Sequence, residues 1–147
     1  MAKALDVALY FACKGDADAG DSITNLKIQK LLYYAQGASL AIRNCPLFEE
    51  NIYAWQYGPV VELVYHKLKK FGSGQVVTDD MCEAHDRLSE AERDIADEVY
   101  DVYGQFSGWK LRDMTHSESP WKDTNSRGAI TLKKMKEYFL TQLTEEE

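Results

Sequence analysis

A chain of 147 residues that is 45% apolar and 28% charged can bury one sizeable core without a disulfide or metal staple, and is too apolar to stay disordered. Its net charge of −7 is concentrated: residues 79–101 hold ten carboxylates against two arginines, a field that disfavours nucleic acid as the main partner and favours a basic protein surface. No apolar run approaches the roughly 18–20 residues of a membrane span, and the first residues, with Asp6 inside the apolar stretch, read as an amphipathic helix rather than a signal peptide, so the expected setting is the cytoplasm.

The order of elements predicts a mainly α fold, a single compact bundle-like domain over 1–147 with five to seven helices and room for one short β pair. A first helix covers 2–14 and ends at Gly15; Asp16–Ser22 is a polar loop. Thr24 caps the clearest helix, which runs to about Arg43 with Ile28, Leu31, Leu32, Ala35 and Ile42 on one burial stripe. Residues 52–56 suit a short extended segment. Pro59 then opens a helix to Phe71, closed by Gly72, with Lys67, Lys69 and Lys70 in its last turn. Residues 75–78 could form a second strand, and 79–88 carry no clear signal.

Ser89 and Glu92 match a capping box. The helix they start runs to about Phe106 and turns Ile95, Val99, Val102, Tyr103 and Phe106 to one side. A shorter helix around Trp109–Thr115 is followed by a loop containing Ser119, Pro120 and Trp121. A last helix from Thr131 to Leu143 points Leu132, Met135, Phe139 and Leu143 inward, and 144–147 form a frayed tail. This amphipathic last helix leaves a homodimer open.

Chemistry is sparse. His66, His85 and His116 have no histidine at metal-binding spacing, and Cys13, Cys45 and Cys82 form no C-x-x-C pair. Neither a metal site nor a cofactor is therefore expected, and three cysteines cannot make a complete disulfide framework. Phosphate-loop, dinucleotide and nucleophile-elbow motifs are absent. His116, between Thr115 and Ser117 with Glu118 beside it, could serve as a general base in a small hydrolase. Chain neighbours on a turn seldom converge on one atom, so a helix-end or loop hydrogen bond beside a packed Trp121 is favoured, and no catalytic residue is assigned.

Aromatic residues are plentiful: Tyr33 and Tyr34, then Tyr53, Trp55 and Tyr57, with Trp109 and Trp121. They suit a small core or the anchors of a protein interface. Tyr33 and Tyr34 lie about 100° apart on a helix, so at most one should reach the core centre. Lys30 lies beside the buried stripe; its ammonium is expected in solvent or paired with a carboxylate rather than acting as a catalytic amine. Asp94, Asp97, Glu98 and Asp101 form an acidic helix face, a solvated surface or an electrostatic complement to a cationic partner.

Three stretches in order, ITNLKIQKLLYYAQG (Ile23–Gly37), AWQYGPVVELVYHKLKKFG (Ala54–Gly72) and LRDMTHSESPW (Leu111–Trp121), resemble the Panacea domain of SocA-like antitoxins and phage-associated proteins. The resemblance runs from about residue 5 to 140. It implies a mostly helical module that neutralises a separately encoded toxin by binding it. It places Lys30, Tyr33, Tyr34, Trp55, Gly58, Pro59, Val60, His116, Pro120 and Trp121 at motif positions, and Tyr57 joins them as a candidate contact. A second role it implies is that of an adaptor delivering a bound protein to a ClpXP-type protease. No membrane partner follows from it.

Overall fold

The computed structural model describes residues 1–15 and 23–145, with side chains to Gln142. At its centre lies α2 (Asn25–Ile42), whose N-cap Thr24 accepts a hydrogen bond from Lys27 N at 3.2 Å. Fourteen of its 18 residues are buried, so it is enclosed on every side rather than along one stripe. The periodicity of Ile28, Leu31, Leu32 and Ala35 identifies the face that packs most deeply. The polar residues between them are buried as well.

Around this axis the other elements close a single core. The apolar helix α1 (Ala4–Cys13) packs on α2, and Glu50 accepts a bond from its Ala4 N at 3.1 Å. A small antiparallel sheet follows, made of β1 (Ile52–Trp55), β2 (Gly58–Val60) and a distant β3 (Ala129–Ile130), in the order β2-β1-β3. Trp55 pairs with Gly58 across a two-residue turn, and Ile52 pairs with Ile130. Next come α3 (Glu62–Leu68), a one-turn α4 (Ala84–Arg87), α5 (Glu90–Tyr103), α6 (Gly108–His116), a one-turn α7 (Ser119–Lys122) and α8 (Leu132–Glu145).

The mainly α expectation holds, with differences that have physical causes. Eight α-helices are present among the described residues, because the expected loop at 119–121 holds one α-helical turn and the unclear stretch 79–88 holds another, α4, behind a 3-10 turn at Met81–Glu83. In α7, Pro120 stands in the first turn, where its missing N–H costs nothing. Pro59 does not open a helix. It lies in the edge strand β2 opposite Ala54, whose N–H and C=O are taken by Gly128 and Arg127 on the other side, so a residue without a donor fits there.

Residues 75–78 form no strand beyond a single bridge from Gln75 to Thr24. The capping box at Ser89 and Glu92 is present in full. Ile42, Val102 and Leu132, expected inward, are 47%, 47% and 46% exposed, since each sits near a helix end that outruns the core. The helix α8 includes 144 and 145 of the expected tail. The Asp16–Ser22 loop, the Leu143 side chain and 146–147 lie outside the described residues. Cys13 and Cys82 form a disulfide across 69 positions with Cα atoms 5.1 Å apart, and Cys45 is the free thiol. Spacing alone gives no sign of that pair.

Gly37 marks the tightest helix contact. A Cβ there would stand 2.1 Å from the Phe139 ring of α8, and that ring is boxed by Tyr33, Tyr34 and Tyr138 at centroid distances of 5.4, 6.0 and 5.2 Å. Gly37→Ala is therefore expected to cost about 1–3 kcal/mol in urea unfolding despite the better helix propensity of alanine. A Phe139→Leu background, which opens space, should shrink that penalty; an equal penalty in both backgrounds would place its cause elsewhere.

Candidate functional site

Two polar clusters and one cavity grow from α2. The first cluster holds Tyr33 and Tyr34. Both are buried, at 0% and 1% exposure, so the expectation that only one reaches the core is wrong. Both hydroxyls turn to a single acceptor: Tyr33 donates to Glu118 Oε1 at 2.9 Å and Tyr34 to Oε2 at 2.8 Å. Tyr34 also stacks on Tyr103 with centroids 3.8 Å apart. No ion pair among the described residues reaches Glu118. Burial raises its carboxyl to about 7, against the lowering by the bonds from Tyr34, Tyr33 and Tyr138. The tyrosines in turn are held well above their ordinary value, first by burial and then by that carboxylate.

The second cluster is Lys30 with the β1–β2 turn. Lys30 is fully buried, and its Nζ donates to the Pro59 carbonyl at 2.9 Å. It is neither in solvent nor paired with a carboxylate, because the turn folds over it and brings a backbone acceptor instead. Burial lowers the ammonium to about 7. Gly58 is required here twice. Its φ is +107°, and a Cβ would meet Lys30 Cε at 2.6 Å and Thr115 Oγ1 at 3.0 Å.

The motif residues of the third stretch complete this side. Trp121 donates through Nε1 to the Trp55 carbonyl at 2.9 Å, and its ring stacks on His116 at 4.0 Å. His116 ends α6 and is held below the ordinary imidazole value, chiefly by burial and next by the Arg112 guanidinium, against a hydrogen bond to the Gln56 backbone. Its buried Nε2 has no hydrogen-bond partner among the described residues. Glu118, the carboxylate beside it in the chain, is turned to the tyrosines, so no nucleophile–base pair is assembled there. Among the described residues no group of three or more histidine, cysteine or acidic side chains could hold a metal ion.

Beside Lys30 opens a cavity of about 680 Å³, a size typical of binding sites. Its walls include Trp55, Tyr57, Tyr65, Phe106 and Trp109, together with Lys27, Lys30 and Lys69. Tyr57 and Trp109 meet edge to face at 5.9 Å and remain 50% and 57% exposed. Trp55 is braced by Tyr65 at 5.0 Å, by Glu62 on its Nε1 at 3.1 Å and by the Arg127 guanidinium 4.7 Å from its ring. The structure thus brings Lys30, Trp55, Tyr57, Gly58 and Pro59 to one place and sets His116, Pro120 and Trp121 behind the same turn. Tyr33 and Tyr34 belong to the core.

Lys27 and Lys69 are absent from the sequence-derived candidates, Trp109 stands there only among the aromatics suited to a core or an interface, and Glu118 only as the neighbour of His116. The run Lys27, Gln29, Lys30 between buried apolar positions was the available signal. On the acidic face, Asp94, Glu98 and Asp101 are exposed. Asp97 is not free: Lys14 pairs with it at 2.7 Å and the Tyr10 hydroxyl donates to it at 2.6 Å. Burial pushes its carboxyl up, but those bonds outweigh it and hold the group below the ordinary value.

Residues 28–122 match the family model described as Antitoxin SocA-like, Panacea domain. A stretch of 55 residues is 38% identical to Antitoxin SocA of Caulobacter vibrioides (strain NA1000 / CB15N). That alignment covers 37% of this chain and 29% of the relative's length. No solved structure gives a significant match. No described helix is long and apolar enough to cross a membrane.

The matched segment contains Lys30 and Glu118, whose pH effects oppose each other. In the unfolded chain Glu118 ionises near 4.5, whereas in the fold it keeps its proton to about 7. Its contribution to stability is therefore present below 4.5 and lost as pH rises to 7. Lys30, depressed to about 7, loses its contribution as pH falls from the ordinary lysine range towards 7. Between pH 4.5 and 7.5, urea unfolding should show the wild type losing on the order of 3 kcal/mol that Glu118→Gln retains. Parallel profiles would mean that Glu118 ionises normally in the folded protein.

Proposed function

Because the chain belongs to the SocA-like antitoxin, Panacea-domain family, we propose that it acts by binding a toxin protein and covering its working surface, with no bond made or broken by its own side chains. The observation that supports this most directly is the exposed Tyr57–Trp109 pair at the mouth of a braced cavity. Half-exposed aromatic rings on a rigid support lose little conformational freedom when a partner covers them, and such residues dominate interface energetics. Rigidity comes from below, where Gly58 packs on Lys30 and Trp121 ties the turn to α7.

Charge steers the encounter. Asp94, Glu98 and Asp101 present an exposed acidic strip on α5, which raises the association rate of a basic surface more than it lengthens the life of the complex. Asp97 contributes less, since Lys14 neutralises it. His116 supports the turn rather than reacting, with one face covered by Trp121.

Co-expression with the product of the adjacent gene tests this directly: growth inhibition by that product alone, copurification and rescue of growth are the expected results. Combining Tyr57→Ala with Trp109→Ala should weaken the complex by about 2 kcal/mol or more, roughly thirtyfold, while leaving the circular dichroism unchanged. His116→Ala should still neutralise in proportion to the folded protein present. A double variant of full affinity would move the interface to another face.

A further inference from the structure

In an acidic protein, the cavity beside Lys30 is lined by the opposite charge. Lys27, Lys30 and Lys69 border it, and none of its described lining residues is aspartate or glutamate. Two helices also begin at its wall. Thr24 to Lys27 at the start of α2 and Ser107 to Trp109 at the start of α6 line it together. They touch through Gly108, where a Cβ would stand 3.0 Å from Lys27 N and 3.2 Å from Leu26 Cγ.

The positive ends of two helix dipoles held this close repel each other, and an anion between them relieves that repulsion. Among the described residues, Lys27 Nζ donates to Gly104 O, at the end of α5, at 2.6 Å. Lys30 borders the cavity from beneath its surface, and its Nζ has one acceptor among the described residues, Pro59 O. A carboxylate entering the cavity would supply the acceptor Lys30 lacks, in a low-dielectric place where such a bond is strong. Trp55, Tyr57, Tyr65, Phe106 and Trp109 give the wall a large aromatic area, which suits a companion side chain with no charge.

Resting on the reading that this chain works by holding a protein, we propose that the cavity receives an acidic side chain of the bound partner, next to a large apolar side chain that packs on Tyr57 and Trp109. The partner's chain then lies across the mouth, where both rings are exposed. The site gives the interface a selection rule: an aspartate or glutamate beside a hydrophobic residue enters, and a lysine or arginine in that place is rejected by Lys27, Lys69 and the protonated form of Lys30.

The test titrates the purified full chain to about ten millimolar with the capped peptide Gly-Phe-Asp-Leu-Gly and with its Asn counterpart, followed by the fluorescence of the cavity tryptophans. The Asp peptide should bind at least about tenfold more tightly. That advantage should shrink in Lys69→Glu, an exposed position that folding tolerates, and vanish in Lys30→Met. Trp109→Ala should weaken both peptides alike.

Equal affinity for the Asp and Asn peptides would overturn the proposal, as would an advantage that survives Lys69→Glu and Lys27→Met together. Inorganic phosphate or citrate binding as tightly as the Asp peptide would overturn it in favour of a free anion. Binding seen only after Asp16, Asp18 and Asp21 are changed to Asn would make this chain's own acidic segment the occupant, again overturning it. Growth rescue in the co-expressing strain is scored separately. Rescue without a peptide preference removes this site alone, and a peptide preference without rescue removes the antitoxin reading alone.

Discussion

Enclosing α2 on all sides forces a condition on the rest of the chain. A helix that carries asparagine, lysine, glutamine and serine into a dry interior must find a partner for each, because a buried polar group left alone costs about 1–3 kcal/mol. The partners are supplied by the least regular parts of the protein. Gln36 accepts from Leu47 N and Phe48 N and donates to Phe48 O; Gln29 accepts from Val61 N; Asn25 donates to Tyr65 O; Ser39 donates to Cys45 O. The bonds from Gln36, Gln29 and Ser39 fix turns or a helix start with little secondary structure to hold them, and the bond from Asn25 fixes the last turn of α3. The polar face of α2 thus specifies where the connecting segments go, and the apolar face specifies how the helices stack.

This arrangement explains why Lys30 and Glu118 meet neutral dipoles instead of each other. Lys30 rests on a proline carbonyl and Glu118 on tyrosine hydroxyls. Such bonds recover only part of the solvation an ion loses on burial. What they provide is geometry. Rotating α2 by one residue would strand an ammonium, two hydroxyls and a carboxylate at once, so alternative packings of the same apolar residues are excluded. The aromatic turn that carries Tyr57 inherits its position from that same restriction.

Much of the helical framework was legible in the chain. The capping box at Ser89, the Thr24 cap and the apolar spacing of α2 and α5 are local signals, and local signals identify elements well. Long-range choices were not legible. Whether Pro59 begins a helix or borders a sheet depends on β3, some 70 residues away in sequence and only two residues long. Tyr33 and Tyr34 both enter the core because Phe139 of α8 and the Glu118 carboxylate each meet both of them, which no helical wheel of α2 can contain. At the site, the motif residues around Lys30 and Trp55 were found, but the cavity's electrostatic sign was hidden. Overall composition is acidic, and the local excess of positive charge arises only when two helix starts and three separated lysines converge.

Gly108 bears on how such a protein diversifies. With the interior committed to one arrangement, inherited change is confined to what faces outward: Tyr57, Lys69 and Trp109 can be exchanged without disturbing the glycine that lets two helices begin side by side. Lineages that keep the glycine and reshuffle those three positions would retain the scaffold while altering whom they recognise, so new pairings could arise by a handful of codon changes and no remodelling of the backbone.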